Sequence, residues 1–253
     1  MTALSAFFRA ERIKWRKSWM LLVALLGPLC LTGFLAVVFW FSEERIRAFR
    51  PGFQFWLELN FAAWSLVVMP VLASLVCDLS WEQEREARGW NLLLIQPAPR
   101  RTHYLVKLLS HLSLVGVALV LFALLTLALG FLLRFQPGLL MGPLPIAAFL
   151  QFMGYALVAS VGVVAFQTWL SMRVSGLWIG LAAALAGSWL TQRLVGASPL
   201  IQFLPWGLAA QSAIVFERWR ILPWVQVPGG LAAAAAVVIL GTLDFVRRHD
   251  PRA

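Results

Sequence analysis

The run LSLVGVALVLFALLTLALGFLL, Leu112 to Leu133, holds 22 residues without a charge. An α-helix needs about 20 apolar residues to cross the hydrocarbon core of a bilayer, so this stretch reads as a membrane span. Its helix is expected to cover 105–133. On its C-terminal side, Ile146 to Leu170 gives a second such run, and Trp19 to Phe41 near the N-terminus gives a third. Leu59 to Cys77 and Val174 to Gln192 are shorter but also free of charge. The last run, Trp224 to Leu243, contains the alanines Ala232 to Ala236 and ends at Asp244, giving a span over 224–245. The expected fold is an all-α integral membrane protein, one domain over 1–253, with six transmembrane helices at 19–41, 59–77, 105–133, 146–170, 174–192 and 224–245.

Composition agrees. Hydrophobic residues make up 61% of the chain and charged residues 13%, against roughly 25% charged in a soluble domain. Mean hydropathy is +0.81, more apolar surface than a water-soluble fold of this size hides. The net charge of +10 does not mark a nucleic-acid binder, because the cations sit in short clusters between apolar runs and do not form one groove-sized face. It marks topology. With the N-terminus inside, 14 of the 21 Lys and Arg residues fall in cytoplasmic segments, which places both termini in the cytoplasm. Trp19, Trp40, Trp56, Trp169 and Trp224 stand at run ends, where amphipathic rings meet headgroups. Cys30 and Cys77 both lie in apolar runs and read as small hydrophobes. The long basic start and the absence of a small-residue cleavage site argue against a removable signal.

Two segments are not simple spans. Residues 1–18 read as an amphipathic interfacial helix, with Leu4, Phe8 and Trp15 on one side and five cations. Such a helix is expected to lie flat on the inner leaflet, drawn by anionic lipid. Residues 196–223 are extracellular in this topology yet apolar, and Leu204 to Phe216 is too short to cross. That segment reads equally as a re-entrant pair or as an apolar loop on the surface.

The longest cytoplasmic loop, 78–103, reads DLSWEQEREARGWNLLLIQPAPRRTH. Its first half favours a charged helix, with Glu84/Arg88 and Glu82/Arg85 at favourable spacings. Trp90 to Ile95 is apolar, and Pro97 and Pro99 end any helix. A short charged helix beside an apolar patch facing the cytoplasm suggests a docking surface.

The order Glu82, Glu86, Gly89-Trp90, Leu93, Pro97, Arg100/Arg101, Tyr104 and Lys107 resembles the cytoplasmic loop of ABC-2-type permeases, the membrane subunits of ATP-driven exporters. Glu11-Arg12-Ile13-Lys14, with Gly27-Pro28 inside the first span, resembles the smaller members that confer immunity to lantibiotics and similar peptides. The resemblance implies that the loop forms a coupling helix between spans two and three, inserting into a separate ATPase subunit. Trp81, Glu82, Glu86, Gly89, Trp90, Leu93, Pro97, Arg100 and Arg101 would form that coupling face. It also implies a partner ABC-type ATPase carrying the ATP and Mg, a second copy or a related permease, and the cell membrane of a prokaryote. No cofactor is expected on this chain. Where many relatives have a small residue and then Thr or Ser after the loop glycine, this chain has the bulkier Trp90.

No G-x-x-x-x-G-K-[ST] motif occurs, so ATP hydrolysis is expected on another polypeptide. A membrane enzyme is disfavoured. His103, His111 and His249 lie near cytoplasmic ends without an H-E-x-x-H arrangement, and no catalytic or metal-ligating residue is expected. An ion-coupled carrier is disfavoured because ionisable groups keep to the span ends. Gln151, Tyr155 and Gln167 are the polar candidates for a substrate path, with helix–helix bonding as their other reading. Apolar walls point to an amphipathic or lipid-like substrate.

Overall fold

A computed structural model describes residues 3–16, 18–41, 52–86, 99–135, 140–194, 201, 203–210 and 226–248. These residues form helices and no strand, with an isolated bridge pairing Gly52 and Met141. We number the long helices α1 (Ala3–Arg16), α2 (Trp19–Phe41), α3 (Phe53–Glu86), α4 (Arg100–Arg134), α5 (Ile146–Arg173), α6 (Leu177–Leu194) and α7 (Gln226–Arg248). Five of them, α2 to α5 and α7, are long and apolar enough to cross a membrane. The 18-residue α6 is not among those five, and its last turn carries Thr191, Gln192 and Arg193.

Local chemistry sets several boundaries. Pro99 and Pro145 occupy the N-cap positions of α4 and α5, since proline has no N–H to lose ahead of a first turn. Between α5 and α6 the chain turns at Gly176, whose φ of +136° is open to glycine and strained for other residues. No such breaker interrupts Val71 to Glu86. The charged helix expected as a separate element is therefore the continuation of α3, which runs 34 residues, about 50 Å at 1.5 Å per residue. Ahead of Pro70, α3 contains a π turn over Trp64–Val68. A proline ring at 70 crowds the carbonyl of residue 66, and the widened turn spans that carbonyl.

The core lies among α3, α4 and α5. Trp64 stacks on Phe122 at 4.6 Å, Phe61 meets Phe122 at 5.1 Å and Phe152 at 5.4 Å, and the Trp56 indole N–H donates to the Thr126 carbonyl at 2.8 Å. Helix α2 packs on α4 and α3, α7 on α5 and α4, and α6 mainly on α3. Only 22% of the apolar window of α2, and of α7, is buried, so the outer faces of both are left for lipid or another subunit. At one end of the bundle, α1 meets the C-terminal end of α3 and the N-terminal end of α4. The C-terminal ends of α5 and α7 gather at that end too. At the other end the start of α3 meets the end of α4, and the Phe53 N–H donates to the Met141 carbonyl at 2.8 Å.

Two expectations are refined. The aromatic side of α1 faces protein. Phe7 meets the His103 ring at 4.8 Å, a Glu11 oxygen stands 3.6 Å from Lys107 Nζ, and the Trp15 indole N–H donates to Ser110 Oγ at 2.8 Å. These contacts advance in the same order on both helices, so α1 runs alongside the opening turns of α4. Within 196–223, Ile201 and residues 206–210 are buried, while Phe203 and Leu204 are exposed. Trp206 lies 4.9 Å from the Phe166 ring, and a Cβ on Gly162 would come within 3.0 Å of the Pro205 carbonyl. Gly162 is sixteen residues, about 24 Å, along α5 from its start.

Candidate functional site

At the end of the bundle shared by α1, α3 and α4, four charges meet. Lys14 donates to Glu11 Oε1 at 2.7 Å and also to Glu84. Lys107 donates to Glu84 Oε1 at 2.8 Å. Glu11, Glu84 and Lys107 are each buried, at 8%, 4% and 4% exposure. A lone buried charge is costly, but two carboxylates and two ammonium groups of alternating position offset one another's desolvation. Burial alone would pull the Lys14 ammonium below the usual lysine range. The Glu11 and Glu84 carboxylates outweigh burial and hold it above that range. The Lys107 ammonium also lies 5.5 Å from the Trp81 ring, a distance at which an aromatic face attracts a cation.

Helical phase explains the choice of Glu84. A two-residue step turns a side chain to the opposite face, and a four-residue step returns it. Glu84 and Trp81 therefore face inward while Glu82 and Glu86 face out and are exposed. Glu84 pairs with Lys14 and Lys107, while Arg88, its partner suggested by i,i+4 spacing, lies outside the described residues.

One turn and a half earlier on α3, Asp78 is 5% exposed and accepts from Ser74 Oγ at 3.2 Å. Helix α6 approaches here through Gly180, whose carbonyl accepts from the Gln167 amide of α5 at 3.5 Å. A Cβ at 180 would stand 2.7 Å from Ser74 Oγ and still closer to Asp78 Oδ2. Gly180→Ala is therefore expected to cost about 1–3 kcal/mol through overpacking, read as a lower midpoint of thermal unfolding in detergent. An unchanged midpoint would mean that α6 does not sit against Asp78. Beside Asp78, Cys77 Sγ lies 3.4 Å from His111 Nδ1 and from Thr168 Oγ1, and the latter two are 2.9 Å apart. No third His, Cys, Asp or Glu completes a metal-binding group there among the described residues. Arg173 of α5 donates to Asp244 of α7 from Nε at 2.5 Å and also from Nη2, and the Trp169 indole N–H adds a bond at 3.2 Å.

Of the residues assigned to the coupling face, Trp81 is buried and packs with Tyr104 and Phe245. Glu82, Glu86 and Arg101 are exposed and Arg100 is half-buried. Gly89, Trp90, Leu93 and Pro97 lie outside the described residues. The polar candidates for a path are not gathered. Gln151 is exposed, Tyr155 one turn away is buried, and Gln167 is buried twelve residues further on, beside Gly180. Sequence reasoning missed the quartet of Glu11, Lys14, Glu84 and Lys107. The available signal was the phase of Glu84, out of step with its two acidic neighbours.

The chain matches the family described as ABC-2 family transporter protein over residues 7–191. The chain belongs to the ABC-2 transporter family. This is the membrane component of a transporter, consistent with multiple membrane-crossing helices and with the resemblance carried by the loop after the second span. The match takes in α1 from Phe7 and most of the helices to Thr191, so the charge quartet and the exposed glutamates all lie within the ABC-2 region. No curated protein matches the chain.

Proposed function

We propose that this ABC-2 chain is the permease subunit of an ATP-driven exporter, energised by ATP hydrolysis with Mg on a separate ABC-type ATPase subunit. The observation that carries the reading is the two-sided end of α3. Glu82 and Glu86 face outward, while Trp81 and Glu84 on the opposite side are tied to α4 and α1. A force applied at the outward pair passes into α1, α3 and α4 together, as a rigid-body movement of packed helices requires. Glu82, Glu86, Arg100 and Arg101, with the 87–98 segment between them, form the ATPase-facing surface in this reading.

The full assembly contains two permeases, either two copies or a related pair, in the cell membrane of a prokaryote. α6 serves as a sixth crossing, with both termini in the cytoplasm. Support for the crossing comes from its contacts, since Gly180 meets Asp78 near the charged end and Gly187 meets Trp206 further along. The packing of Pro205 and Trp206 against the middle of α5 supports a re-entrant 196–223 segment. The cargo is amphipathic or hydrophobic, such as a peptide antibiotic, drug or lipid-like molecule, because the outer walls offer apolar side chains such as Leu22, Leu26 and Leu29 of α2.

Charge reversal tests the coupling surface. Glu82→Lys/Glu86→Lys is expected to reduce ATP-dependent transport at least tenfold, about 1.4 kcal/mol, with normal membrane insertion. ATPase activity should persist but no longer respond to cargo. Unchanged transport in vesicles holding equal amounts of the complex would remove these residues from the coupling role.

A further inference from the structure

We propose that Arg9, Arg12 and Arg16 form a binding ladder for acidic phospholipid headgroups on the outer face of α1. The three arginines are exposed and follow one another at three- and four-residue steps, so they share one stripe of the helix. The sole acidic residue of α1, Glu11, is turned inward to Lys14 and Lys107. No ion pair engages the three guanidinium groups among the described residues. The inner face of α1 is thus occupied by protein, and the outer face presents three cations that no described acidic residue neutralises.

Position along the chain selects the partner. Arg16 lies three residues before Trp19, the first residue of the apolar helix α2. The stripe from Arg9 to Arg16 rises about 10 Å, comparable to the headgroup layer outside the hydrocarbon core. Because α1 advances along α4 in the direction that α2 continues, the arginines stand at successive depths of that layer. Ile13, 53% exposed, lies on the same stripe, and Trp19, 70% exposed, follows at its end. Cations flanking an apolar residue suit a boundary where phosphates meet acyl chains. A soluble polyanion would use the charges and leave Ile13 and Trp19 in water. Guanidinium groups pair with phosphate oxygens in a forked geometry, so the recognised chemistry is a phosphate-bearing lipid. The proposal is independent of what the protein transports.

The test is lipid titration of the full chain in detergent, followed by native mass spectrometry, with phosphatidylglycerol and phosphatidylcholine of matched acyl chains. Wild type is expected to bind phosphatidylglycerol at least tenfold more tightly, with the preference shrinking as salt is raised. Each arginine changed to glutamine should weaken that binding about fivefold. The triple variant R9Q/R12Q/R16Q should show no preference, while R9K/R12K/R16K keeps most of it. An undiminished preference in the glutamine variant overturns the assignment. Displacement of the lipid by equal concentrations of soluble glycerol phosphate would also overturn it, by showing a site for free phosphate. Loss of ATPase binding in the glutamine variant with lipid preference intact would make the stripe a protein-docking face instead.

Discussion

Glu84→Ala is expected to destabilise the protein by about 3–5 kcal/mol, the largest loss for any single exposed or buried acid at this end of the bundle. The carboxylate accepts from both Lys14 and Lys107. Without it the two ammonium groups share only Glu11, at 2.7 and 3.6 Å, and Lys107 remains 4% exposed with half its compensation gone. An uncompensated buried charge costs far more than the net worth of the pair it came from. Glu82→Ala, two residues away but exposed, should stay within about 0.5 kcal/mol. The contrast controls for helix propensity, since both positions sit in the same turn of α3. Thermal unfolding in detergent reads both variants. A double-mutant cycle between Glu84→Ala and Lys107→Met should give a coupling of about 1–3 kcal/mol. Equal midpoints for Glu84→Ala and Glu82→Ala would show that the quartet contributes nothing to stability.

Residue chemistry made the spans legible, because a charge-free run longer than the bilayer is thick leaves few alternatives. α2 begins and ends at Trp19 and Phe41, as its apolar run does. The helices grew where strong helix formers followed a span without a breaker, as at Glu82 to Glu86, since such residues extend a helix into water at no cost in lipid. Neighbourhood was not legible. Glu84 had a nearby candidate partner in Arg88, and nothing local announced Lys107, 23 residues on, or Lys14, 70 residues back. Amphipathicity showed that α1 has an aromatic side, but the choice between lipid and Ser110 as its partner depends on how α4 is placed. Gln151 and Tyr155 shared a helical face by spacing, yet the edge of the buried surface falls between them. The Cys77–His111–Thr168 contact joins three helices and was beyond any periodicity. Glu82 and Glu86, two residues assigned to the proposed coupling face, are both exposed on α3.

Trp64→Ala is expected to cost about 3 kcal/mol, at the low end of the range for deleting a buried aromatic. The indole is fully buried, stacks on Phe122 at 4.6 Å with 17° between rings, and opens the π turn of α3. In a soluble core the loss would combine transfer from water with a cavity term. Within a bilayer the unfolded reference is itself apolar, so the transfer contribution largely vanishes and packing remains. Close-packed interiors relax only partly around a deletion of this size. Here the wall on one side is a π turn directly before Pro70, where the backbone bonds are already rearranged. Trp64→Phe keeps an aromatic face toward Phe122 and should lose about 1 kcal/mol or less. Because Gly27 of α2 packs against Val68 and Leu72 of α3, an alanine at 64 should also loosen α2. Cys30, exposed on α2, supplies the readout, through a faster reaction with a membrane-permeant maleimide than in wild type. A stability loss without that change in labelling would confine the effect to the Trp64–Phe122 contact and leave the π turn rigid. Equal stability of the alanine and phenylalanine variants would mean that this ring is not what packs α3 against α4.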